Sequence, residues 1–155
     1  MRLALLLAMI AGGTAAQQPS ALDSRAAEAI VAGCAAHAAS KKQSEAIAVV
    51  DTGGHLVAAL RMDGNASGIF DFALAKAKAA AAWGFSTAQM IDAAKTTPGF
   101  ANAPNVVTVA GGVPAWSADG KVRLGAVGVS GEDPADDVQC AEAGLKAAGL
   151  RSGRS

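Results

Sequence analysis

The chain has 155 residues, 52% hydrophobic but only 4% aromatic, with 13 basic and 13 acidic side chains. That length suits one domain around one core. A net charge of zero gives no field for a phosphate backbone, so no nucleic-acid partner is expected. With 18 glycines and many alanines, helices and strands must approach closely, and any pocket is lined by backbone and small side chains.

Residues 1–16, MRLALLLAMIAGGTAA, carry one cation (Arg2), an apolar run from Leu3 to Ala11 and a small-residue cleavage site at Thr14-Ala15-Ala16. They read as a secretory signal peptide, because the run is about half the roughly 20 residues that a spanning helix needs. Its removal near Gln17 leaves a mature chain of about 139 residues with 12 basic and 13 acidic side chains. That chain is expected to be secreted or periplasmic. No later apolar segment is long enough to span a bilayer as a helix.

From Ala21 to about Lys42 the pattern is helical, with Ala27, Ile30, Val31, Cys34 and Ala38 on one apolar stripe and His37 at its edge. Ala46–Asp51 and His55–Met62 are apolar runs joined by Thr52-Gly53-Gly54, which predicts a β-hairpin. Ser67 is expected to cap a second helix running to about Phe85, and Ser86 a shorter one through Lys95. Lys76 and Lys78 are two residues apart on the second helix, too far around it to share a site. Residues 96–105 hold Pro98, Gly99 and Pro104 and predict an irregular loop.

Val106–Ala110, Ala115–Ser117 and Val122–Val129 read as strands, the last two joined by a tight turn over Ala118-Asp119-Gly120-Lys121. Asp133-Pro134 opens the final helix, with Asp as N-cap, Pro at the first helical position, and Asp136 and Asp137 in the first turn. Residues 151–155 are expected to be a disordered tail. The hairpins are too tight for parallel crossovers. The fold class is therefore α/β (α+β): a single domain over 17–150 with a five-stranded antiparallel sheet flanked by helices.

Two motifs carry a family likeness: IAVVDTGGHLVAALRMDG (47–64) and VVTVAGGVPAWSADGKVRLGAVGVSGEDPADDVQCAEAGL (106–145). Together they resemble the GlcG/HbpS-like family, small domains that include extracellular haem-binding proteins and the carboxy-terminal domain of PduO-type proteins. The resemblance spans roughly 26–150. It implies a profilin-like or PAS-like architecture, a homo-oligomer, and haem as cofactor, with oxidative haem degradation as an associated activity.

Candidate site residues follow from chemistry and resemblance together. His55 opens a strand straight after Gly53-Gly54, where it can ligate haem iron, act as an acid or base, or serve as an ordinary strand-end histidine. His37 is the other candidate iron ligand, or a histidine bonded to a carbonyl. Gly111, Gly112 and Pro114 form the recognisable GGVP segment, where a backbone can approach a ligand. Ser130 and Gly131 lead to the last helix, whose free N–H groups suit a propionate or carboxylate. These residues are equally good as turns that need no ligand.

Trp116 stands where relatives often carry an aliphatic residue, and suits stacking, an interface or the core. Lys76, in an AxAKA motif, can pair with a carboxylate or snorkel to water. Cys34 and Cys140 lie on the apolar stripes of the two terminal helices. In an exported chain they are expected to form a disulfide, the alternative being two buried thiols.

The chain carries no HExxH, GxGxxG, phosphate loop or GxSxG elbow. A Ser130-His55-Asp51 triad can be assembled only on paper. Two functions remain: an exported haem-binding protein, or a non-enzymatic module that binds a small organic acid or a partner protein.

Overall fold

The computed structural model describes residues 21–155; the signal peptide expected over 1–16 lies outside them. Helix α1 spans Ser24–Ser40, strand β1 Ala46–Asp51, β2 Leu56–Arg61, α2 Ser67–Trp83 and α3 Thr87–Thr96. A 3₁₀ turn at Phe100–Asn102 precedes β3 (Gly112–Trp116), β4 (Arg123–Ser130) and α4 (Pro134–Ala147).

Local chemistry sets most of these boundaries. Asp23 caps α1 by accepting from the Ala26 N–H at 2.7 Å. Ser86 and Gln89 form a reciprocal capping box on α3. Asp133 caps α4 with Pro134 behind it, as the sequence predicts. Helix α2 differs: Ala66 holds the N-cap position without a side-chain bond, and Ser67 is the first helical residue instead of the cap.

The sheet is antiparallel and has four strands in the order β2-β1-β4-β3. The expected fifth strand, Val106–Ala110, is irregular chain. Asn105 has a positive φ of 57° and Gly111 one of 122°, so the run is bracketed by two reversals. Pairing starts only where the Gly111 carbonyl accepts from Val129 N at 3.0 Å.

The pleat sorts β1 into two faces. Ile47 and Val49 join α1 and α4 in one core with Ile30, Val127, Val129 and Leu145. Ala46, Ala48 and Val50 meet the alanines of α2 (Ala73, Ala77, Ala80, Ala81) in the other. The result is three layers: α2, the sheet, and the α1–α4 pair. Each fully buried Ile, Val or Leu contributes about 1.5–3 kcal/mol. At Gly128 the sheet and α2 nearly touch; a Cβ there would lie 2.0 Å from the Ala73 carbonyl oxygen.

Cys34 and Cys140 are joined as a disulfide with their Cα atoms 4.6 Å apart, tying α1 to α4. The tail, expected to be disordered, is tied down at two places. Arg151 exchanges two backbone hydrogen bonds with Trp116 (2.8 and 3.0 Å), and Ser155 N donates to the Gly120 carbonyl at 3.2 Å. Among the described residues no helix is long and apolar enough to cross a membrane.

Candidate functional site

The β1–β2 turn is organised by Asp51. Its Oδ1 accepts from the backbone N–H groups of Gly53 (2.8 Å) and His55 (2.9 Å). Its Oδ2 lies 3.2 Å from His55 Nδ1. These N–H groups, the His55 backbone first, hold the Asp51 carboxyl below its ordinary range. With Nδ1 turned to a carboxylate, the His55 ring presents Nε2 outward, and its side chain is 82% exposed. The ring borders a concavity of about 280 Å³ that also includes Gly53, Gly54, Lys78, Ala82 and Asn105. Leu56, half-exposed at 50%, follows His55.

Ser130, with Gly131 after it, lies at the opposite end of the sheet, whereas Pro114 is level with Val50, next to Asp51. Ser130 pairs with Ala46, whereas Asp51 pairs with Gly125, so the length of β1 separates Ser130 from Asp51 and its partner His55. Six strand residues span about 17 Å, which rules out a Ser130-His55-Asp51 triad. His37 is in the last turn of α1 and its Nε2 is closed off from water with no hydrogen-bond partner. It lies near Asp136 at the start of α4, away from the β1–β2 turn. The structure therefore keeps the two histidines apart.

Around Gly111, Gly112 and Gly131 the close neighbours are the protein's own backbone carbonyls and side chains. A Cβ on Gly111 would lie 2.8 Å from Lys76 Nζ, and one on Gly131 2.7 Å from Glu45 Oε2. Gly112 N donates to Thr87 Oγ1 at 2.9 Å. Pro114 is buried in β3, opposite Ala126.

Lys76 does not snorkel; it is buried and donates to Asp137 Oδ2 at 2.6 Å and to the Val129 carbonyl at 2.9 Å. Asp137 Oδ1 in turn accepts from Glu132 N at 3.3 Å, so a carboxylate of this chain sits at the start of α4. Beside it, Glu45 is fully buried with its carboxyl facing that of Asp137. Burial, reinforced by the neighbouring Asp137 charge, pushes the Glu45 carboxyl up to about 8, so it is neutral at pH 7. The sequence showed no reason to single out Glu45. Its only local signal is an acid directly before an apolar strand.

Among the described residues no group of three or more His, Cys, Asp or Glu could hold a bare metal ion. A porphyrin-bound iron asks less, since the macrocycle supplies four nitrogens and the protein one axial ligand. The His55 corner meets that requirement: an oriented imidazole, a free Nε2, and the Lys78 cation beside it for a carboxylate.

The fold is shared with several solved proteins. PduOC, solved as a complex with heme, superposes with a TM-score of 0.78 at 22% identity, covering 86% of this chain and 99% of PduOC. HbpS superposes with a TM-score of 0.75 at 25% identity over 90% of this chain and 97% of HbpS. The Klebsiella pneumoniae protein ORFY gives 0.77 at 25% identity, over 87% of this chain and 95% of its own. No curated protein sequence matches the chain significantly. Residues 22–146 match the family described as haem degrading protein HbpS-like, and the chain belongs to that family.

Proposed function

We propose that this is an exported haem-binding protein in which His55 Nε2 is the axial ligand of the iron. The observation that carries the reading is the Asp51–His55 pair: a carboxylate at 3.2 Å fixes the tautomer and aims the second nitrogen at solvent. Family membership and the heme complex of PduOC support the choice of ligand. Export rests on the leader-like residues 1–16, and the Cys34–Cys140 disulfide is compatible with it.

Lys78 would meet a propionate, and Leu56 would lie against the macrocycle edge. A concavity of 280 Å³ is too small to enclose a haem, so the site is shallow or completed by a second copy of the chain. A bound haem would supply its own oxidative chemistry with peroxide, and the protein's part in degradation would be to hold it open to solvent.

Haemin titration of the mature protein tests this. A saturable Soret band is expected, with its maximum displaced in His55→Ala and unchanged in His37→Ala. An unaltered spectrum in His55→Ala would remove that histidine as the ligand.

A further inference from the structure

None of the two Trp and four Phe side chains of this protein is fully buried, and Phe70 alone of them packs against a core. Instead Trp83, Phe85 and Trp116 line one cleft of about 420 Å³, between the C-terminal end of α2, the start of α3, β3 and the tail. Arg123 and Arg154 line the same cleft, and no acidic residue does. Among the described residues neither arginine has an ion pair or a side-chain hydrogen bond.

Two of the three rings, Trp83 and Phe85, are held in place. Trp83 Nε1 donates to the Pro104 carbonyl at 3.1 Å. Phe100 packs edge-on against Trp83 at 5.1 Å, and Phe85 does so at 6.1 Å. Gln89 spends its Oε1 on the Ser86 N–H, which leaves its amide nitrogen as a donor. Docking of the tail through Arg151 and Ser155 brings Arg154 to the rim.

Fixed aromatic faces beside two unpaired guanidinium groups match one kind of ligand: a planar ring that stacks, carrying an anion that an Arg fork can grip. We propose that this cleft is a second ligand site, for an aromatic carboxylate of one or two rings. No histidine, methionine or cysteine lines it, so it offers no customary axial ligand to iron and is distinct in chemistry from the His55 corner.

Both tryptophans of the chain line this cleft, so intrinsic fluorescence reports on it directly. Titrating the full mature protein with 2-naphthoate is expected to give saturable quenching, matched by calorimetry. Neutral 2-naphthalenemethanol and non-aromatic cyclohexanecarboxylate should each bind at least tenfold more weakly. Arg154→Gln, on the tail and away from the core, should weaken 2-naphthoate about tenfold, as should Arg123→Gln, with His55→Ala unchanged. Linear, non-saturating quenching up to about 5 mM would overturn the proposal. So would equal affinity for the alcohol, or undiminished binding by an Arg123→Gln/Arg154→Gln double variant that keeps the native circular dichroism.

Discussion

A buried lysine, a buried aspartate and a neutral glutamate make an uncharged set only while Glu45 keeps its proton. Because its carboxyl is raised from 4.5 to about 8 in the fold, the native state binds more protons than the unfolded chain across that window. Stability from this group is therefore full below about 4.5 and is lost as pH rises through about 8. Asp137, also raised by burial but opposed by Lys76, and the nearby Glu132 face the same carboxyl. Melting temperature should fall between pH 5 and pH 9 in the wild type, and Glu45→Gln should flatten that decline. An equally steep decline in Glu45→Gln would place its origin elsewhere. Lys76→Met, which strands the Asp137 charge, is expected to cost about 3–5 kcal/mol in denaturant unfolding.

At the scale of elements, α1 and α4 form one unit. The disulfide closes a loop of 106 residues, so Cys34→Ala/Cys140→Ala should lower unfolding free energy by about 2–4 kcal/mol, read from denaturant midpoints at neutral pH. This pairing, the β1–β2 hairpin and the caps at Ser86 and Asp133 were legible because each is written in a local signal: an apolar stripe, a Gly turn, a capping residue. Val106–Ala110 was not, since VVTVA has strand composition and nothing within it signals the reversals that bracket it at Asn105 and Gly111. Nor could the AKAKA repeat say which lysine turns inward. That depends on Asp137, 61 residues away, and leaves Lys78 exposed beside His55. The candidate site divides likewise: the turn around His55 was readable, whereas its separation from Ser130 follows from strand register, which composition does not encode.

For the whole molecule, the shallow concavity beside His55 and the exposed Leu56 and Leu60 on β2 predict self-association. Light scattering of the mature protein at micromolar concentration should return more than the monomer mass, and a monomer with or without haemin would count against it.

The docked tail limits what form such an assembly could take. One margin of the sheet, β3, carries Pro114, which has no N–H to offer, and is already bonded to Arg151. The opposite margin, β2, ends the strand order, and among the described residues nothing pairs beyond it. A sheet open at one margin and stoppered at the other can add a single neighbour, edge to identical edge across a two-fold axis, and then has no template left. Such a chain can pair through its sheet but cannot grow by it into a continuous ribbon.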